Sequence, residues 1–282
     1  MAVFGIFSYW LLPVFSALVW LGMLLGLLLY WIVDLQSQHL PSMGFNASIA
    51  YISDIGATSL KPLFIAGSCV VVVTLDISFF AERWLRHRGR LVPNQSTGEK
   101  ALVWLSIVFA IAGAAGLILL SIFDVLHHQR LHDGFLLLFI AGYLLSAVFT
   151  CWEYQRLGIK NRDFRILRSS FWIKLTFILV ELVLAIIFAS TSFTHNRNVA
   201  AVFEWIIAFI FTFYILSFFI DLRPAVHTRS HSMRFEKPGE VEMGLRPDAH
   251  HHAVRVTGPG TNGTPPLSLQ SGSVADRNAG HF

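Results

Sequence analysis

The sequence predicts an all-α, polytopic membrane protein with six transmembrane helices, both termini in the cytoplasm and a disordered C-terminal tail. Of its 282 residues, 55% are hydrophobic and only 13% are charged, and the mean hydropathy is +0.61. Soluble domains carry about 25% charged residues, so this composition excludes an ordinary soluble enzyme. Six apolar runs are each long enough to cross about 30 Å of hydrocarbon, and at that length only a helix satisfies its own backbone in lipid.

The six predicted spans are joined by connections that differ in charge. The spans cover residues 12–33, 62–81, 101–122, 134–152, 171–193 and 199–220. No basic residue precedes the first apolar run, which is too long for a cleaved signal, so we predict a retained first helix. Residues 1–222 would form one six-helix transmembrane domain. Residues 223–282 are rich in Gly, Pro and Ser without an apolar period, which predicts a disordered cytoplasmic tail.

Orientation follows from the distribution of basic residues. The connections that we place in the cytoplasm carry fourteen Lys and Arg residues, in 82–100, 151–170 and 221–237. The alternate connections carry three, in 34–61, 123–133 and 194–198. Because cytoplasmic loops carry the excess of Lys and Arg, this bias predicts that both termini are cytoplasmic. The basic pI of about 9.3 is then explained by topology, and no nucleic-acid partner is predicted.

The first outer loop contains the polar stretch AYISDIGATSLKP, residues 50–62. Asp54 is placed to accept backbone N–H groups in a turn, and Gly56 to adopt a positive φ. Pro62 suits the first turn of the second helix. Asn46 begins an Asn-Ala-Ser sequon on the same side, which makes it a candidate glycosylation site.

The second outer loop is dense in imidazole and carboxylate groups. His128 and His132 are four residues apart, a spacing that would place both on one helical face and that metals accept. Imidazole also titrates near neutral pH and can transfer protons. The candidate catalytic residues, if the protein is an enzyme, are Asp54, Asp124, His127, His128 and His132. The favoured interpretation is that they bond one another, the loop backbone and lipid headgroups, so we predict no catalytic residue, metal site or cofactor.

Four charged residues lie within the predicted spans: Asp76, Lys174, Glu181 and Glu204. Charge at bilayer depth is costly and usually faces a bundle interior or a water-filled cavity. Lys174 lies near the cytoplasmic end, where its side chain can extend toward the headgroups, whereas Glu181 lies close to the midplane. A transport route would use such a series of charges. A structural role, with the acids bonded to neighbouring helices, explains them as well and is favoured.

The cytoplasmic connections offer clustered positive charge to the inner leaflet. Clusters of four to eight basic residues attract anionic lipid at about 1 kcal/mol each, although the same charges also determine topology. The candidate anionic-lipid contacts are Arg83, Arg86, Arg88, Arg90, Arg156, Lys160, Arg162, Arg165 and Arg168.

Two motifs resemble a known family. The chain opens its first span with Trp10-Leu11-Leu12-Pro13, and its first outer loop carries Tyr51, Ile52, Ser53, Asp54 and Gly56 in the pattern Tyr-Ile-Ser-Asp-x-Gly. An Asp followed by histidines, Asp124 to His132, comes in the second outer loop. Together with six spans, these features resemble the Frag/DRAM/Sfk family over about residues 8–222. The chain departs from the family pattern at Ala50, where many members have proline, and after Gly56, where the usual acidic residues are missing.

The resemblance implies several functions. Members related to the suppressor-of-four-kinase protein are plasma-membrane regulators that assist a phosphatidylinositol 4-kinase complex and affect lipid distribution between leaflets. The DRAM branch is lysosomal and promotes autophagy, and the Frag branch is a Golgi factor in GPI-anchor lipid remodelling.

The basic inner loops and long tail favour the first branch. We therefore expect a non-enzymatic plasma-membrane scaffold whose partners are membrane lipids and a peripheral lipid-kinase complex. A lipid-remodelling enzyme or subunit that uses the outer His and Asp residues, a lipid translocator or transporter, and a lysosomal or vacuolar autophagy modulator are the alternatives.

Overall fold

The computed structural model describes residues 9–92, 96–160, 165–194 and 196–225, and within them every regular element is helical. The helices are α1 (Leu11–Leu29, continued by a π-helical turn at Tyr30–Asp34), α2 (Ile52–Gly56), α3 (Lys61–His87), α4 (Thr97–Ile122), α5 (Val125–Lys160), α6 (Arg165–Phe193) and α7 (Arg197–Leu222). Apart from the five-residue α2, each is long and apolar enough to cross a membrane. The predicted all-α fold with six spans is confirmed.

The helix ends differ most from the prediction where polar residues extend a span. α5 was expected over residues 134–152 but covers Val125–Lys160, and α3 continues past residue 81 to His87. Hydropathy finds the stretch that fits in hydrocarbon, whereas a helix continues for as long as its backbone bonds and contacts are satisfied. Pro62 lies in the first turn of α3, as predicted. The predicted tail lies outside the described residues from position 226 onward.

The six long helices form a closed ring in the order α1, α3, α4, α5, α6, α7 and back to α1. The closest approach is between α4 and α5, where a Cβ on Gly142 would lie 2.5 Å from the backbone N of Gly113. Small residues at this crossing allow the two backbones to touch, as the IAGAAG stretch predicts. Elsewhere, buried side chains bond the backbone of a neighbouring helix: Trp20 Nε1 donates to the Ala208 carbonyl over 2.8 Å.

One helix of the ring is much less enclosed than the others. In the 18-residue apolar stretch of α6, only 11% of the residues are buried, whereas the corresponding stretches of the other five long helices are 33–50% buried. The exposed apolar side chains of α6 suit contact with lipid tails. The helix is nevertheless joined to the bundle at its basic end by a polar network described below.

Candidate functional site

We call the end of the bundle that carries most Lys and Arg residues the inner end, and the opposite end the outer end. The inner end contains a buried network of six charged side chains from four helices. Its members are Glu82, Arg83 and Arg86 on α3, Glu153 on α5, Lys174 on α6 and Asp221 on α7. Three carboxylates face three cations, so the network is neutral as a whole. Arg83 is only partly enclosed; the other five side chains are buried.

Direct contacts connect these side chains. Arg83 Nη1 lies 2.7 Å from Glu153 Oε2, and Arg86 Nη2 lies 2.8 Å from Glu82 Oε1. The Tyr154 hydroxyl donates to the same Glu82 oxygen over 2.6 Å. Burying charge is costly unless it is paired and hydrogen-bonded, and here each carboxylate has a cation within contact distance. The network therefore holds α3 and α5 in one arrangement at the inner end.

Lys174 extends the network to α6 and α7. Its Nζ lies 2.5 Å from Asp221 Oδ2, and it faces the rings of Phe218 at 4.0 Å and Tyr154 at 5.3 Å. The other oxygen of Asp221 accepts a hydrogen bond from Ser170. Lys174 has no exposed surface, so the prediction that it extends toward the headgroups is wrong. The reason is that Asp221 lies inside the bundle and attracts the Lys174 ammonium group.

Three of the arginines predicted to contact anionic lipid face the protein instead. Arg83 and Arg86 bond the network carboxylates, and Arg90 is buried and donates to the Ala225 carbonyl. Sequence reasoning missed Glu82 and Glu153 as partners of Arg83 and Arg86, and Asp221 as the partner of Lys174. The available signal was that Glu82 and Glu153 lie on helices next to strongly basic segments, where opposite charges pair.

Three further arginines at the inner end are exposed and lie beside aromatic rings. Arg88 stacks on Trp84 with 4.5 Å between guanidinium carbon and ring centroid, Arg156 on Trp152 at 5.4 Å, and Arg223 on Phe219 at 6.0 Å. The two residues of each pair are four apart, within one helix or with the arginine directly after its last residue, so ring and guanidinium share a face. Such pairs suit a membrane interface, with the ring at the headgroup level and the cation in water.

We call the exposed set, Arg88, Arg156, Arg168 and Arg223, the inner arginines. Lys160 is exposed too, but its Nζ bonds Glu99 Oε1 over 2.5 Å. Arg162 and the side chain of Arg165 lie outside the described residues. Contact of the exposed members with anionic lipid stays a prediction.

At the outer end, the Tyr51–Gly56 motif forms α2 and is bonded to α7. Asp54 Oδ2 accepts the Tyr51 N–H over 3.0 Å, which caps this short helix in the way expected of a turn. Glu204 Oε2 accepts the N–H of Ile52 over 2.8 Å, and Trp205 Nε1 donates to the Ala50 carbonyl over 3.0 Å. The motif therefore closes the outer end of the bundle. Ser53 lies within α2 and is half-buried.

Gly56 has a different role from the predicted one. Among the described glycines only Gly89 has a positive φ, so the predicted positive φ at Gly56 is wrong. A Cβ on Gly56 would lie 2.6 Å from Cδ1 of Phe64. The glycine is therefore needed for close approach of α2 to α3, not for a left-handed turn. Asn46 lies in the exposed loop before the motif, and its glycosylation stays a prediction.

Asp124 is the centre of the second outer connection. Its Oδ2 lies 2.5 Å from Lys61 Nζ, and its Oδ1 accepts the backbone N–H of His127 and lies 2.8 Å from the His127 ring Nδ1. Burial opposes ionisation, but these hydrogen bonds outweigh it and hold the pKa of the carboxyl well below its usual range. The His127 side chain is 66% exposed, so an oriented imidazole faces the outer medium.

The other outer candidates do not converge on that pair. His128 is exposed at a break in α5, with φ −137° and ψ 46°, so it does not continue the helical face of His132. His132 is buried and its Nδ1 lies 3.0 Å from the carbonyls of Leu120 and Phe123. Asp54 is engaged in capping α2. Within the part of the chain that the structure describes, no group of three His, Cys, Asp or Glu side chains is arranged to hold a metal ion.

The acids at membrane depth are separated from the inner network. Asp76 on α3 and Glu181 on α6 are half-buried, and each has one buried carboxyl oxygen without a hydrogen-bond partner. Glu181 and Glu204 both line an apolar cavity in the outer half of the bundle. The favoured structural role was that these acids bond neighbouring helices. Glu204 does so, since it accepts the Ile52 N–H, but one oxygen each of Asp76 and Glu181 makes no such bond.

Comparison with known proteins places the bundle in a family. The model described as Frag1/DRAM/Sfk1/Cwh43P N-terminal domain matches residues 8–225. Protein sfk1 of Schizosaccharomyces pombe is 32% identical over 221 residues, which cover 78% of this chain and 65% of that protein. Protein SFK1 of Saccharomyces cerevisiae is 26% identical, over 73% of this chain and 76% of its own length. This chain thus spans about 65% of the fission-yeast relative.

No solved structure matches the chain. The family match covers the whole described bundle, including α2 with its Tyr-Ile-Ser-Asp-x-Gly motif and the Asp124 connection. The chain therefore belongs to the Frag1/DRAM/Sfk1/Cwh43P family.

Proposed function

We propose that this protein is a non-enzymatic scaffold of the plasma membrane that assists a phosphatidylinositol 4-kinase complex and organises lipids at the inner leaflet. The observation that carries the proposal is the construction of the inner end. A neutral, buried network fixes four helices there, and the exposed inner arginines extend from the ends of those same helices. A rigid base with outward cations suits recruitment of a peripheral complex that works on anionic lipid.

The similarity to the two yeast proteins named Sfk1 supports this choice over the other branches of the family. The exposed Arg–aromatic pairs support it further, because an anchored guanidinium loses less side-chain freedom on binding a phosphate than a free one does. Two of the candidate catalytic residues at the outer end support the non-enzymatic proposal indirectly. Asp54 and His132 bond backbone groups of the protein itself, which is a structural role.

The proposal is tested by measuring the amount of phosphatidylinositol 4-phosphate in the inner leaflet. A fluorescent reporter follows this lipid in cells that lack the protein and its relatives. One rescue variant carries Arg88→Gln, Arg156→Gln and Arg168→Gln. The matched control carries His127→Gln and His128→Gln, which are also exposed but lie at the outer end. Both variants must reach the membrane at wild-type level.

We expect the arginine variant to restore less than about half of the reporter signal, since each cation contributes about 1 kcal/mol at an anionic surface. The histidine variant should restore it fully. A signal that is independent of the protein, or that both variants restore equally, would contradict the proposal.

A second candidate function rests on Asp124 and His127. A buried carboxylate that orients an exposed imidazole is an arrangement used in general acid–base catalysis, and it lies at the outer surface as a lipid-remodelling enzyme would require. Here His127→Gln alone should abolish remodelling of lipid anchors in the complemented cells, while His128→Gln leaves it intact. Equal remodelling in the two variants would exclude a catalytic role for His127.

A further inference from the structure

A cavity of about 110 Å³ lies inside the bundle, lined mainly by α5, α6 and α7 and completed by side chains of α1, α3 and α4. Its walls are almost entirely aliphatic and aromatic, with Phe139, Phe177 and Phe211 on three different helices. The Ile52 side of α2 closes it toward the outer surface, and Tyr214 bounds it toward the inner network. An apolar cavity of this kind stays dry and takes an apolar occupant.

The walls carry a few polar atoms that the protein does not satisfy. The Tyr143 side chain is 95% buried on α5, yet its hydroxyl has no hydrogen-bond partner. Glu181 Oε1 on α6 is buried without a partner as well. Glu204 uses one oxygen for the Ile52 N–H. Because a buried polar atom without a hydrogen bond is destabilising, the unbonded atoms of Tyr143 and Glu181 indicate a ligand that bonds them.

The cavity is accessible from the membrane between α5 and α6. Ile140 and Leu144 on α5 and Phe177 and Ala185 on α6 line it and are only half-buried. α6 is the helix with the smallest buried share, 11%. A ligand dissolved in the bilayer therefore reaches the cavity sideways, without crossing water.

Size and depth restrict the ligand. An enclosed cavity of about 150 Å³ holds one benzene ring, so the 110 Å³ inside the bundle takes only a segment of a ligand, and the rest of a longer chain extends outward between α5 and α6. Glu181 lies twelve residues before the outer end of α6 at Phe193, roughly 18 Å along the axis at 1.5 Å per residue. A large hydrated head such as a phosphodiester does not fit at this depth, whereas a single hydroxyl or amine does, because carboxyl oxygens accept its hydrogen bond.

We propose that this cavity binds a small-headed membrane amphiphile, whose hydroxyl or amine donates to Glu181 and whose apolar chain lies against the phenyl rings. Tyr143 provides the second polar contact. The site is separate from the inner arginines, and it holds whether or not the protein assists a lipid kinase.

The test uses the full chain purified in lipid nanodiscs and three photoreactive probes with the same octadecyl chain, ending in an amine, an alcohol or a carboxylate. After illumination, labelled peptides are located by mass spectrometry. Amine and alcohol probes should label α5–α7, and the carboxylate about tenfold less, because a carboxylate has no proton to donate and its charge is costly to bury in an apolar cavity. Equal labelling by all three probes, or labelling confined to other helices, would overturn the proposal.

Matched variants distinguish binding of the probe in the cavity from nonspecific partition of the probe onto the lipid-facing surface. Ala185→Trp fills the cavity, whereas Val183→Trp adds the same ring to α6 at a position that is 55% exposed and does not line the cavity. Labelling should fall about tenfold in the first variant only. Glu181→Gln should weaken labelling by the amine more than by the alcohol. Identical labelling in the two Trp variants, or no effect of Glu181→Gln on either probe, would sink the assignment.

Discussion

Lys174 and Asp221 form an ion pair in which neither side chain is accessible to solvent, with 2.5 Å between Nζ and Oδ2. Lys174→Met keeps most of the side-chain volume but leaves the Asp221 carboxylate buried with Ser170 as its remaining bonded partner. Removing one partner of a buried pair costs about 3–5 kcal/mol. The inner network would then hold three carboxylates against two guanidinium groups, so the lost charge is not compensated.

For a chain of this size, each kcal/mol lowers the unfolding temperature by about 2–4 °C. We therefore expect Lys174→Met to unfold roughly 6–20 °C below the wild type. Tryptophan fluorescence of the purified protein during heating in detergent measures this directly. The double variant Lys174→Met with Asp221→Asn removes both charges and restores neutrality, and it should recover most of the loss.

Arg168→Met is the matched control, because it removes a basic side chain from an exposed position on the same helix. It should change stability by no more than about 0.5 kcal/mol. If Lys174→Met unfolds at the wild-type temperature, or if the double variant is no more stable than the single one, the argument from charge balance is wrong.

Three further predictions concern the outer end. Gly56→Ala should lower stability by about 1–3 kcal/mol, measured by thermal unfolding, because its Cβ would lie 2.6 Å from the Phe64 ring; Gly134→Ala, where nothing lies within 4 Å, should not. Asp124→Asn should lower the unfolding temperature by an amount that is constant between pH 7 and pH 5 and becomes smaller below about pH 4. A carboxyl with a lowered pKa stabilises the folded protein above its unfolded-state pKa, and this contribution is lost as the carboxyl is protonated. A difference that grows on acidification would refute this prediction. Asn46→Gln should abolish a mobility shift on glycosidase treatment of the protein from eukaryotic cells, and a wild type without any shift would show the sequon to be unused.

The positions of the spans could be predicted because hydropathy is a property of local sequence. Twenty apolar residues cross the membrane as a helix whatever their neighbours are, so the six long helices of the structure contain the six predicted segments. The ends could not be predicted to the same accuracy. α5 begins at Val125 because Asp124 caps it through the His127 N–H, a contact that average hydropathy does not register.

The candidate site was predicted in part. The importance of Asp54 and Asp124 is visible in the sequence, since carboxylates next to helix starts cap them. Pairing between helices is not visible there. The three network carboxylates belong to different helices and are at least 68 residues apart along the chain: Glu82, Glu153 and Asp221. In the sequence, each of them looks like an ordinary charge at a membrane interface.

The sequence by itself determined that this protein is an all-α membrane protein of six spans, because the low charge content and the apolar runs leave only helices as a solution in lipid. The tertiary structure alone decided which charges face each other. Closing the ring brings Lys174 to Asp221 and Arg83 to Glu153, and so separates buried arginines from the exposed inner arginines. The physical reason is that the cost of a buried charge depends on what lies within about 4 Å of it, and that distance is set by helix packing and not by position along the chain.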